Sequence, residues 1–189
     1  MKIYLASASP RRREILAALG VHFEVVRSDA DESSDEKDPG RLTERLAKRK
    51  AEGALIENGE DALIIACDTV VFAEGEILGK PQNEKDAERM LRLLSGKTHS
   101  VVSGICLKYG GRTVTAHEAT YVKFCEMSDS DIALCMRDGE PMDKAGAYAI
   151  QGTASLFIEG IEGDYFNVVG LPTHLLFKTA KNELSLDLL

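Results

Sequence analysis

Arg11, Arg12 and Arg13 fall in the first turn of a clearly signalled helix, where three cations are the wrong charge. Ser9 is a favourable N-cap, Pro10 suits the first helical position, and Ile15, Leu16 and Leu19 followed by Gly20 give an apolar stripe and a stop. Unpaired backbone N–H groups and the macrodipole already make this end positive, so each exposed cation is disfavoured by about 0.3–1 kcal/mol. A bound polyanion would reverse that balance. The strand-like Lys2–Ala6, a tight turn and a helix N-terminus form an anion site, and arginine forks make it a phosphate clamp. Simple solvation is the competing reading, and it suits Arg13.

Asp68 stands between the apolar runs Leu63–Cys67 and Val70–Phe72. Burying a charged carboxylate there is expensive unless something pairs with it. Two roles fit: a metal ligand or general base at the end of a buried strand, or a strand-end aspartate that caps its own turn. Lys50 is a second anomaly. At ~100° per residue from Leu42, the residues Leu42, Leu46, Ala54, Ala47 and Ala51 form one apolar arc with Lys50 in its middle. Such a lysine either finds a negative partner inside or snorkels along the surface. Lys80 is held between Gly79 and Pro81, which fix a turn. The glycine-rich segments Gly139–Gly152 and Gly163–Pro172 would let backbone approach a ligand closely, although by composition alone a structural turn is the preferred reading. Within the first, Glu140, Asp143 and Lys144 supply both signs of charge, and Gln151 offers an amide suited to reading a base edge. No G-x-x-x-x-G-K-[ST] pattern occurs, which excludes a P-loop.

Length and composition set the surroundings of this chemistry. The 189 residues suffice for a substantial core and read as a single domain over residues 1–189. A net charge of −8 opposes nucleic acid and anionic membranes over the surface as a whole. The four cysteines show neither C-x-x-C spacing nor neighbouring histidines and read as small apolar residues in a reducing compartment. No apolar stretch nears bilayer length, so the expectation is a cytoplasmic protein. Phe23–Val26 is predicted as a strand, Asp29–Asp38 as an acidic loop, and Pro39 as the start of a long helix stopping at Asn58-Gly59. Leu63–Cys67 is predicted as a strand buried on both faces, extended by Thr69–Ala73. Asn83 should cap a helix carrying Ala87, Met90, Leu91 and Leu94, and strands should flank the Gly110-Gly111 turn. Ser128 with Asp131 signals a capping box, and a last helix starts near Pro172. Helical crossovers imply parallel strand pairs and the central hairpin antiparallel ones, hence an α/β protein with a mixed sheet.

Six segments in order resemble the Maf family of nucleoside triphosphate pyrophosphatases: Ser7–Arg12, Asp68–Val71, Gly79–Pro81, Leu94–Gly96 with His99, Gly139–Gly152 and Asn167–Pro172. The resemblance implies a cytoplasmic enzyme that uses a divalent cation, Mg²⁺ or Mn²⁺, to hydrolyse a nucleoside triphosphate to the monophosphate and pyrophosphate, as in house-cleaning of non-standard nucleotides. It also implies an elongated mixed sheet flanked by helices, of the inosine triphosphatase-like (Maf/Ham1) type, often a homodimer, with substrate in a cleft between two lobes. Ser9–Arg12 and Asp143–Tyr148 look like the branch acting on dTTP and UTP, whereas the 7-methyl-GTP branch usually carries a tryptophan that this chain lacks. In that pattern Asp68 is the proton acceptor, and Arg11, Thr69 and Gln151 occupy positions that set base preference. Ser9, Arg12, Lys50 and Lys80 then take the phosphates, while Glu32 and Asp68, with Glu140 assisting, hold the metal. Ala149 departs from the family's usual glycine and Cys67 from its usual alanine. The alternative from another class is a nucleotide-binding regulator of septum formation with incidental hydrolysis.

Overall fold

The computed structural model describes residues 1–56 and 62–189, and the side chains of residues 138–140 also lie outside the description. In chain order the elements are β1 (Lys2–Leu5), α1 (Pro10–Ala18), β2 (Glu24–Val25), α2 (Pro39–Glu52), β3 (Ala62–Ala73), β4 (Glu76–Leu78), α3 (Glu84–Leu94), β5 (Thr98–Tyr109), β6 (Arg112–Phe124), α4 (Asp129–Cys135), β7 (Ile158–Glu162), α5 (Tyr165–Val169) and α6 (Thr173–Leu184). Short 3-10 turns fill the stretch between α4 and β7. Asn83 and Ser128 cap α3 and α4 through their side chains, and the Ser128–Asp131 capping box is complete. Among the described residues no helix is long and apolar enough to cross a membrane.

Three local expectations are corrected. The second helix ends at Glu52 rather than at Asn58-Gly59, which lies outside the described residues. Gly53 closes that helix on the Arg49 carbonyl, and the chain then leaves because Ala54 bridges to Ser28. Ser9 stands at the N-cap of α1, yet its side chain makes no capping bond. Asp68 is not at a strand end but inside the continuous β3, whose far end turns through Glu74 and Gly75 into the unpredicted β4. Both turn residues are left-handed, with φ of 50° and 82°, as a two-residue hairpin of matching twist requires.

The sheet order is β2-β1-β3-β5-β6-β7, with β4 on the same edge of β3 as β1. β2, β1 and β3 are parallel, and β3, β5, β6 and β7 run antiparallel, so the sheet is mixed as expected. Register decides where the site can form. β1 pairs with Ala62–Ile65 and β4 with Val71–Ala73, which leaves residues 66–70 of that edge without a strand partner. Alternation puts Ile64, Ala66, Asp68 and Val70 toward α2, and Leu63, Ile65, Cys67, Thr69 and Val71 on the opposite face. That face carries two separate apolar clusters. One gathers Leu5, Leu16, Ile65, Leu107 and Leu176; the other gathers Leu91, Leu94, Val122, Phe124 and Ile132. Buried Ser103, Thr120 and Asn167 lie on the strands and helix that join these lobes.

On the other face Gly104 sets the depth of α2. It pairs with Asp68, and a Cβ there would come 2.3 Å from the Thr43 carbonyl carbon, so any side chain would lift the helix off the sheet. Seating α2 this low brings Lys50 to Asp68.

The second cluster encloses His99, which is 2% exposed and whose Nε2 lies 2.7 Å from the Tyr148 hydroxyl. Its ring meets Phe124 and Tyr148 edge-on, while Nδ1 has no hydrogen-bond partner among the described residues. Burial pushes the imidazole down from 6.5 to about 4, so the folded protein keeps it neutral while the unfolded chain protonates. Stability present above pH 6.5 is therefore lost as pH falls toward 4, by about 3 kcal/mol for this group. Thermal melts of wild type and His99→Phe should diverge over that interval, the wild type falling more steeply; parallel pH profiles would remove His99 as the cause.

Candidate active site

The unpartnered stretch of β3 opens into a cleft of about 980 Å³ that reaches both lobes. Asp68 lies on its α2 side. Its Oδ1 is 2.5 Å from Lys50 Nζ, and Glu32 Oε2 is 3.0 Å from the same nitrogen, so the two carboxylate oxygens are at most about 5.5 Å apart. Lys50 and Asp68 are nearly enclosed, whereas Glu32 reaches in from the exposed acidic loop. That loop is not free there: Arg49 donates to the carbonyls of Asp31 and Ser33, on either side of Glu32, at 3.2 and 2.5 Å. Two carboxylates around one ammonium leave a net negative charge facing the cleft.

Arg12 fills the break in the sheet from the opposite face. Its Nε donates to the Gly170 carbonyl at 2.8 Å, and one terminal nitrogen donates to Cys67 O at 2.7 Å and Ser7 Oγ at 3.1 Å. The other donates to Thr69 Oγ1 at 3.0 Å. The guanidinium thus replaces the missing strand at the Cys67 carbonyl and ties β3 to the loop after α5. No carboxylate pairs with it among the described residues, so its charge remains available as a positive field at the floor of the cleft. Thr69 hydroxyl is shared with Ser103 at 2.8 Å, which makes it part of this scaffold as well as of the lining. Burial pushes the Cys67 thiol up, and it donates to Gly170 O at 3.3 Å, consistent with a neutral packing role.

Arg11 is half-buried at the cleft wall; desolvation pushes its guanidinium down, with Asp143 opposing and Arg12 adding to the shift. A partly dehydrated cation with that surrounding is suited to an anionic ligand. Arg13 is exposed, in line with the solvated reading. Ser9, Lys80 and Gln151 all line the cleft, and Lys80 and Gln151 are exposed. Asp143 and Lys144 line it too and form an ion pair with each other. Lys80 is kept near them because the Gly146 N–H bonds the Gly79 carbonyl at 3.0 Å. Gly146 has φ of 67° and packs on Val71, where a Cβ would approach to 2.7 Å, so only glycine permits this closeness.

The residues present fit a divalent cation. Asp68 and Glu32 offer hard oxygen donors at one place with charge in excess of Lys50, and Mg²⁺ in nucleotide sites typically takes only one or two carboxylates plus phosphates and water. Among the described residues no group of three or more His, Cys, Asp or Glu is gathered for a metal, so a cage made of protein alone is not formed. Glu140, the third acidic candidate, has its side chain outside the description.

Sequence reasoning did not assign Ser7, Ser103, Asn167 or Gly170 a part in the site. Asn167 is fully buried, donates to Val101 O and Thr120 Oγ1 at 3.0 Å each, and so anchors the segment that presents Gly170 to Arg12. The signal for Ser103 was a hydroxyl beside a glycine within the otherwise apolar run from Val101 to Leu107, opposite Asp68-Thr69.

The family model described as Maf-like protein matches residues 2–183. A protein of Thermococcus kodakarensis named dTTP/UTP pyrophosphatase is 46% identical over 187 residues, covering 99% of this chain and 98% of its own. Proteins of the same name from Thermosipho africanus and Bacillus cereus are 48% and 45% identical, covering 91% and 95% of this chain and 88% and 89% of theirs. Among solved structures, a Staphylococcus aureus Ham1 protein is 15% identical with a TM-score of 0.45, over 66% of this chain and 72% of that one.

Proposed function

Because this chain belongs to the Maf-like protein family, we propose that it is a nucleoside triphosphate pyrophosphatase that hydrolyses dTTP and UTP to the monophosphate and pyrophosphate. The observation that carries the reading is the Lys50–Asp68–Glu32 cluster in a cleft walled by cations. A triphosphate resists attack because its oxygens repel the nucleophile, so the site must neutralise charge and align a water. Arg11, Lys80 and the N–H groups of α1 beside Ser9 face the phosphates, and Arg12 adds its field from below. Asp68 has one oxygen, Oδ1, engaged by Lys50 in the free protein and keeps Oδ2 to take the proton from a water whose oxygen attacks the α-phosphorus; the bond to the bridging oxygen breaks and pyrophosphate leaves. Mg²⁺ or Mn²⁺ held by Asp68 and Glu32 would supply further neutralisation of the phosphate oxygens. Family resemblance adds a cytoplasmic location and a homodimer, and the acidic surface argues against a nucleic-acid partner.

Base choice is assigned to the exposed Gln151 amide together with Arg11 and Thr69, which line the same cleft. Thymine and uracil present an acceptor–donor–acceptor edge that an amide and neighbouring backbone groups can satisfy, and cytosine reverses part of it. An unpaired buried polar group costs about 1–3 kcal/mol, so dTTP and UTP should exceed mismatched bases by roughly tenfold or more in kcat/KM. A panel of NTPs and dNTPs with separate detection of pyrophosphate and phosphate tests this, and Gln151→Ala should erode preference more than it slows dTTP. Phosphate release with diphosphate left behind would sink the α-phosphorus geometry, and fastest turnover of GTP would sink the base assignment alone.

A further inference from the structure

We propose that Lys50 is an internal stand-in for the divalent cation: its ammonium holds Asp68 and Glu32 in the free protein and withdraws from them when the cation and triphosphate arrive. The inference rests on the metal-dependent reading above and goes beyond it by giving Lys50 two successive partners. Lys50 Nζ contacts one oxygen of each carboxylate, at 2.5 and 3.0 Å, which are the groups a cation would need. Two cations cannot share those oxygens without strong mutual repulsion, because like charges a few ångströms apart in a partly enclosed cleft are poorly screened.

The carboxylates arrive from unlike places. Asp68 is fixed inside β3 by its pairing with Gly104, whereas Glu32 sits in a loop and Lys50 is its one ion-pair partner among the described residues. The ammonium therefore keeps the pair of acids assembled before any metal is present. Lys50 is also built to let go. Its backbone is pinned, since the Ser28 hydroxyl donates to its carbonyl at 2.9 Å and the neighbouring turn buries Ala47 and Ala51. The four-carbon stem is free to swing the charge without moving α2, and the adjoining cleft would offer phosphate oxygens as the next partner. Metal and triphosphate then favour each other's binding, because each removes the other's competitor.

The test is titration of the nucleotide-free protein with Mn²⁺, followed by the electron paramagnetic resonance signal of the free ion. Lys50→Met should bind Mn²⁺ at least about tenfold more tightly than wild type, and Lys50→Arg, which keeps the cation, should not. Unchanged or weaker binding by Lys50→Met would overturn the proposal. If that variant is poorly folded, Lys50→Gln with the melting temperature as readout serves instead: Mn²⁺ should raise it more than it raises the wild type's, and an equal or smaller rise counts against the proposal. A double variant, Glu32→Gln with Asp68→Asn, separates the two levels. Loss of Mn²⁺ binding there with no tightening in Lys50→Met removes only the stand-in role, whereas unaltered binding in the double variant removes the metal assignment and the stand-in with it.

Discussion

Asp68→Asn should yield a folded protein that still binds nucleotide and turns over at least about a hundredfold more slowly. The substitution is isosteric, so β3 keeps its pairing with Gly104 and the amide oxygen can still accept from Lys50, which also retains Glu32. Stability should therefore fall by less than the about 3–5 kcal/mol that follows when a buried ion pair loses one partner outright. What disappears is the lone pair that accepts the proton of the attacking water, and that loss acts on the transition state rather than on substrate binding. The expected signature at saturating divalent cation is a fall in kcat much larger than any rise in KM. Single-turnover measurement on protein of verified fold checks it, and near-normal kcat would move the base assignment to Glu32 or Glu140.

Arg12→Lys should lower stability sharply although it preserves charge. The guanidinium serves four acceptors, the carbonyls of Gly170 and Cys67 and the hydroxyls of Ser7 and Thr69, at 2.7 to 3.1 Å. A lysine ammonium reaches one or two of these, and the remaining buried acceptors lose bonds to a charged donor worth about 1.5–3 kcal/mol each. A loss of about 4 kcal/mol corresponds to roughly 10 °C in melting temperature for a chain of this size. Arg11→Lys gives the contrast, because Arg11 makes no such network among the described residues: it should melt within about 2 °C of wild type while raising KM. Calorimetry distinguishes a clamp of the fold from a free phosphate ligand. If Arg12→Lys melts with the wild type and only KM rises, the four bonds carry little stability and Arg12 belongs with the ligands.

The two arginines share a sequence context, and nothing in Ser-Pro-Arg-Arg says which one turns inward. Local chemistry reaches only as far as neighbours along the chain. Caps at Asn83 and Ser128, the stop at Gly20, the apolar arc of α2 and the Gly110-Gly111 turn depend on residues within one or two turns, and these were legible. So was the inward direction of Lys50, because helical geometry alone sets the face on which it lies. The partner of Lys50 was not. Asp68 is 18 residues away and meets it only because Gly104, from a third element, lets α2 rest on the sheet. Glu32 was assigned through the family resemblance alone, and its place beside Lys50 depends on a loop whose carbonyls on either side of it Arg49 grips. The break in the β3 edge that creates the cleft follows from where β1 and β4 stop pairing, a register that no single strand encodes. By itself the sequence determined which groups would be costly to bury and the elements that carry them. Their partners were decided only by tertiary packing, because compensation of a buried charge depends on distance in space, which side chains far apart in the chain set together.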